Sequence, residues 1–354
     1  MLCAHGCART RFSVILFLTV FVHMTDDIPV AVVADLGSYS CKFGLAGDGN
    51  PLSVFSSCSG RKSKESKCEV GFSCPEDYIM SPVIKHGIVE DWGSWEELFA
   101  HGLKQISSNY LDFAREHPAV TLEPVLNPKA NADKKMQVLF ETFNFPAMYD
   151  ISSGVASLLA SGRDSGLVVS SGAGVTQVIP IYHGYSIVSA IERVNFGGND
   201  VTEFLNRRLK HSGFYFENSS DVTILNDIKE ALCYIDDIND SNTRSRSYKL
   251  PDGKLVELER DRVLVPNLVF DRNLFSAREQ INLQDMIVRS IRKCDIDVRA
   301  ELSKNIILSG GNTLFPGFSK HLEERLTPQL ETTVRIHAPQ ERLYTDWIGA
   351  SILA

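Results

Sequence analysis

Residues 28–46, IPVAVVADLGSYSCKFGLA, decide how the chain is read. Ile28 to Ala34 is an apolar, valine-rich run with the length of a buried strand. It stops at the turn cluster Asp35-Leu36-Gly37-Ser38. A second strand-like stretch, Cys41 to Ala46, follows before Gly47-Asp48-Gly49-Asn50-Pro51. The unit is a hairpin whose tip carries an acid, a glycine and a hydroxyl. The same pattern returns far downstream. Gly166 to Val169 reads as a strand, Ser170-Ser171-Gly172-Ala173-Gly174 as a turn, and Val175 to Tyr182 as a second strand ending at Gly184. Two such units suggest a duplicated α/β architecture, although Gly-rich hairpins also recur for purely geometric reasons.

A third element extends the pattern. Ile306 to Asn312 (IILSGGN) is a strand running into a double glycine, and a helical pattern takes over after Pro316-Gly317. Such a turn lets backbone approach a flat or anionic ligand closely. Between these elements lie helical patterns over Lys134–Phe143, Asp200–Lys210 and Ile224–Ile235. Asp236–Ser247 is charge-rich and reads as an exposed loop, with the hairpin turn Pro251-Asp252-Gly253 just beyond.

Length and composition agree with two lobes: 354 residues exceed what one hydrophobic core usually holds. Hydrophobic residues at 44% and charged residues at 23% exclude collagen-like, disordered and polytopic membrane chains. The net charge of −8 argues against broad phosphate-backbone binding, so direct nucleic-acid contact is not expected. Eight sparse cysteines without a CxxC pair read as reduced, packed thiols. Phe12 to Val22 is an apolar run behind Arg9 and Arg11, too short to span a bilayer comfortably and without a small-x-small cleavage site. Met24 opens an acidic start of its own, so residues 1–23 are set apart from the fold, either as an alternative or mis-assigned start or as a targeting leader, and no other membrane segment is expected.

Seven stretches carry a resemblance. ADLGSYSCKFGLAGD, LNPKANADKKMQVLFETFNFPAMY, DIKEALCYID, YKLPDG, KCDIDVRAEL, LSGGNTLFPGF and YTDWIGASILA are similar to the actin family and occur in that family's order, from about Val30 to the last residue. The resemblance implies an α/β, actin-like two-lobed ATPase fold (the actin, Hsp70 and sugar-kinase type), each lobe a mixed sheet with flanking helices. It puts the outer lobe at residues 24–160 plus 345–354, with a shortened small subdomain near 57–85. The inner lobe spans 161–344, with a small subdomain near 197–278. It also implies a cleft for ATP or ADP with Mg. Backbone N–H groups in tight turns would meet phosphate oxygens and a lysine would offset charge. Gly37, Ser38 and Lys42 match the first phosphate loop; Gly172, Gly174, Val175 and Thr176 match the second. Gly198, Lys229, Glu230, Gly310, Gly311 and Asn312 fall where the family holds sugar and base, with Phe315 in place of a tyrosine. Asp35 matches the acid that organises the cation's water shell.

The departures are equally informative. Ser170 and Ala173 stand where the family has aspartates, Ser153 replaces a water-placing glutamine, and Gln177 replaces an assisting histidine. Asp35 is then the only such carboxylate carried over. Phosphoryl transfer rests on positioning and electrostatics, and losing one water-positioning group costs on the order of 10²- to 10⁴-fold. No catalytic residue is therefore assigned, and useful ATP hydrolysis is not expected. Tyr39 in place of a glycine, Leu343 of a lysine and Asn226 of an arginine bear on whether nucleotide still binds. The inserting loop between Arg61 and His86 is shortened and carries Lys62, Lys64 and Lys67, and Asp271-Arg272-Asn273 makes the apolar plug more charged. The chain stops at Ile352-Leu353-Ala354, where a family tail would continue; this reads as a truncated product in preference to an outer lobe left with exposed apolar surface.

Other residues have plainer readings. His86 falls where some actins carry a modified histidine, but beside Gly87 in a loop it is expected to be a polar surface residue. Trp92, Trp95 and Trp347 read as packing residues, Cys41, Cys233 and Cys294 as inert core thiols, and His183 and His211 lack metal partners at useful spacing. The leading expectation is a divergent, non-catalytic scaffolding member of the cytoskeletal group in the cytoplasm, partnered by actin-family subunits or actin-binding proteins. Its rivals are a polymerising ATP-binding actin and an actin-related subunit of a chromatin-remodelling complex. A sugar-kinase-like enzyme is improbable beside the actin-like stretches.

Overall fold

The computed structural model describes residues 29–62, 69–71, 78–216, 221–238, 244–271, 282–330 and 332–354. The leader, Ser63 to Lys67 and Arg272 to Phe275 lie outside the described residues.

Two sheets share one topology. The first runs in the order Met148–Ser152, Ala119–Glu123, Val32–Leu36, Ser40–Leu45, Ser53–Ser56. The first three of these strands are parallel, and the last three form an antiparallel meander. The second runs Ile336–His337, Ile306–Ser309, Gly166–Ser171, Thr176–Tyr182, Tyr185–Ser186, in the same order and sense, with Glu192–Val194 also pairing along Thr176–Tyr182. In each sheet the hairpin comes first in the chain, and two later strands add beside it in parallel. The duplication expected from two short hairpins thus extends to whole sheets.

Each sheet is followed by a helix, Ser153–Ala160 after the first and Thr345–Leu353 after the second. These helices cross at the junction of the two halves. They meet so closely that a Cβ on Gly349 would lie 1.7 Å from the Ala156 carbonyl oxygen, so this position excludes every side chain. Trp347 is fully buried there and donates its Nε1–H to the Val33 carbonyl at 3.1 Å.

Period-2 alternation explains why both leading strands are apolar on successive residues. Val32 and Ala34 join the outer core with Phe43 and Phe99, whereas Ala31 and Val33 face Trp347. In the second sheet Leu167 and Val169 enter a core with the helices Gly198–His211 and Leu283–Lys293, while Val168 packs with Leu158, Ile179 and Ile307. Full burial of such side chains contributes about 1.5–3 kcal/mol each.

Strand ends differ from the sequence reading. The first strand is Val32–Leu36 and the second leading strand is Gly166–Ser171, so Asp35, Leu36, Ser170 and Ser171 belong to the ladders and not to the turns. Their backbones still have partners (Asp35 opposite Lys42, Ser170 opposite Gln177), and a polar side chain does not end a strand whose ladder continues. Lys129–Glu141 starts its helix one residue after Pro128, earlier than Lys134, because a proline is tolerated at a helix start. Asp221–Leu232 stops short of Ile235, whose N–H donates to Pro316 O instead. Arg246–Lys249 is a strand, paired with Leu255–Leu258 across the expected turn, where Gly253 has φ +89°.

Candidate functional site

The two hairpin tips are built alike. Gly37 N–H donates to Ser40 O at 3.1 Å, and Gly172 N–H donates to Val175 O at 3.0 Å. They also face and touch each other: a Cβ on Gly174 would sit 2.5 Å from Ser38 Oγ. Ser38 Oγ accepts the Gly87 N–H at 3.1 Å, and His86 Nδ1 lies 2.7 Å from Gly174 O. Arg193 fixes this strap by donating to His86 O at 2.8 Å and Val125 O at 2.7 Å. His86 is therefore half-buried in a turn that reaches both tips, His86 at Gly174 and Gly87 at Ser38, which corrects its reading as a polar surface residue.

Between the tips lies a cavity of about 450 Å³, within the range of small-molecule sites. Gly37, Ser38, Asp35 and Lys42 line it from the first hairpin, and Gly172, Gly174 and Val175 from the second. Gly198, Lys229 and Glu230 line another wall; Gly310, Gly311, Asn312 and Phe315 line a third. Thr176 alone among the expected residues is not on the lining. It is buried behind the tip, where its Oγ1 donates to Phe196 O at 2.9 Å and meets Ser171 Oγ at 2.9 Å. Strand alternation turns it away from the cavity that Val175 and Gln177 reach.

The walls are tied together by backbone. Gly198 N–H donates to Gly172 O at 2.9 Å. Asn312 Nδ2 donates to Ser171 Oγ at 3.2 Å and to Gly172 O at 3.1 Å, joining the double-glycine turn to the second tip. Gly310 adopts φ +87°, and a Cβ there would lie 2.4 Å from Ser171 O. That position needs glycine for both reasons.

The charges are unevenly placed. Lys42 Nζ donates to Asp35 Oδ2 in a largely buried ion pair, so the carboxylate expected beside a cation is engaged by the chain's own ammonium. On the opposite wall Lys229 donates to Thr202 Oγ1 and Asn226 Oδ1, each at 2.8 Å, and to Gly198 O at 3.3 Å. Burial lowers its ammonium to about 8, opposed by the neighbouring Glu230 charge.

Two carboxylates on the lining escaped the sequence reading, Glu123 and Asp346. Asp346, in the first turn of the C-terminal helix, lines the cavity floor. Its Oδ1 accepts Ser157 Oγ–H from the crossing helix and Ser309 Oγ–H, at 2.5 Å, from the second sheet. Burial pushes its carboxyl above the ordinary range and the nearby Asp35 charge adds to this, while the two hydroxyls oppose it. No spacing signal could have found it, because its partners lie far away in sequence.

Gln177 Oε1 accepts the Val125 N–H at 3.1 Å, and Ser153 Oγ has no hydrogen-bond partner among the described residues. Cys41, Cys233 and Cys294 are buried free thiols; burial raises all three, Cys233 to about 12. Trp95 and Trp347 are core residues.

Two like sheets opening on facing glycine-bearing hairpins, with one cavity between them, define the actin-like class of two-lobed α/β folds. Residues 26–354 match the actin family, and the chain belongs to it. A curated relative described as an "Actin-like protein", from Neurospora crassa, is 36% identical over 364 aligned positions, covering 94% of this chain and 93% of its own. Among the described residues no helix is long and apolar enough to cross a membrane.

Proposed function

We propose that this actin-family chain is a cytoskeletal scaffold of the cytoplasm whose cleft takes an adenine nucleotide as a structural ligand and does not turn it over usefully. One observation carries the reading: the register position that holds Asp35 opposite Lys42 in the first hairpin holds Ser170 opposite Gln177 in the second. A water attacking a phosphorus needs a group to orient it or take its proton. Gln177 Oε1 is occupied by Val125 N–H, Asp35 by Lys42, and Asp346 is held by two hydroxyls. Ser153 offers only a neutral hydroxyl. Retention is supported by the tip backbones, Lys42, Lys229 and the glycines of the Gly310-Gly311 turn, all on one cavity. Its partners on this reading are other actin-family subunits or actin-binding proteins.

The test is the purified chain passed through gel filtration, its bound adenine quantified, and phosphate release followed after adding ATP. Stoichiometric nucleotide without phosphate release above buffer is the expected result. An empty cleft, or steady phosphate release, overturns the proposal. Co-sedimentation with actin-family filaments checks the scaffolding part, and its absence would remove that part.

A further inference from the structure

On the reading of the cleft as a nucleotide site, we infer that its phosphate end takes a nucleoside polyphosphate free of any divalent cation, with Lys42 serving as the resident positive charge. Magnesium is usually held through waters oriented by carboxylates, and four carboxylates line the cavity. Asp35 Oδ2 is taken by Lys42. Glu123 is taken by Lys135 Nζ at 3.0 Å and Asn127 Nδ2 at 3.1 Å. Asp346 accepts two serine hydroxyls on one oxygen, and its burial beside Asp35 favours the neutral acid. Glu230 is exposed and stands next to Lys229, on the helix Asp221–Leu232. Among the described residues no group of three or more His, Cys, Asp or Glu side chains is arranged to hold a metal ion. Gln177, which could lend an amide oxygen, has it engaged by Val125 N–H. The donor set does not fit a hydrated magnesium ion.

Charge balance leads the same way. A dication drawn to Asp35 has to share one carboxylate with Lys42, and the repulsion between the two cations weakens a largely buried ion pair. An arriving phosphate instead gives Lys42 a second acceptor while Asp35 stays in contact. The tip backbones complete the cradle, as turn N–H groups do for anions.

The experiment is calorimetric titration of ATP into the full chain stripped of nucleotide, once in EDTA and once in excess magnesium. The expected affinities agree within about twofold. Binding that tightens about tenfold or more with magnesium overturns the inference and leaves the nucleotide reading standing. Absence of binding in both buffers overturns both. Lys42→Ala gives an independent reading: it should lose about a hundredfold in EDTA, and magnesium should restore part of that by using the released Asp35. A variant that binds as well as the parent in EDTA overturns the role given to Lys42. Should the variant not fold, the two titrations of the parent chain decide alone.

Discussion

The two hairpins have the same backbone and different chemistry. Each tip closes with a glycine N–H on the carbonyl three residues on, and each leading strand pairs in parallel with a strand from later in the chain. At the second rung below the tip, one hairpin carries the ion pair Asp35–Lys42 and the other the neutral pair Ser170–Gln177. Backbone geometry is thus held in both halves, while charge is kept in one. Shape and chemistry answer to different residues: glycines and apolar strands set the first, and a few side chains pointing into the cavity set the second. A chain can lose the second and still keep its fold.

The two halves are most sensitive where they meet. Gly349→Val puts a side chain into the Ala156 backbone, and a loss of about 3 kcal/mol or more in chemical denaturation is expected. Full stability would show that the helices do not cross as described. Lys42→Met comes next. It leaves Asp35 buried without its cation and should cost about 3 kcal/mol by the same measurement. A neutral outcome would mean that the pair is solvated.

Ser170→Asp makes the second hairpin resemble the first by placing a carboxylate on the cavity wall. Nucleotide affinity should then become magnesium-dependent by about tenfold (~1.4 kcal/mol) in calorimetric titration. An unchanged ratio would show that the two rungs do not face a common ligand. Thr176→Val removes a buried hydroxyl that lies off the cavity, so stability should fall by about 1 kcal/mol while retained nucleotide stays the same. Lost nucleotide would return Thr176 to the site.

The smallest effect concerns Asp346. Its folded carboxyl titrates above its unfolded one, so the stability it contributes is complete below about pH 3.9 and is lost as pH rises through the raised value. Asp346→Asn should flatten that decline while costing less than about 1 kcal/mol near neutral pH. Parallel stability–pH curves for the two proteins would refute the neutral-acid assignment.

Much of this was legible beforehand, for reasons local to the chain. Valine-rich runs interrupted by glycine specify strand–turn–strand wherever they occur, and both hairpins follow from that. Strand ends were less legible at Asp35 and Ser170, because a ladder continues as long as a partner backbone is present. Thr176 was misplaced since adjacent strand residues point to opposite faces, and its face depends on a register that the partner strand sets. His86 gained its role from Gly174, on a different sheet.

Sequence alone determined the family and the two hairpins, and it wrote Ser170 and Ala173 into the second tip, because each lies in contiguous residues. Tertiary structure alone decided that Lys42 rests on Asp35 inside a buried cleft and that Asp346 reaches its floor between Ser157 and Ser309. Burial and long-range contact set the charge state of such groups. Neither quantity exists until the two helices have crossed and the halves have closed on each other.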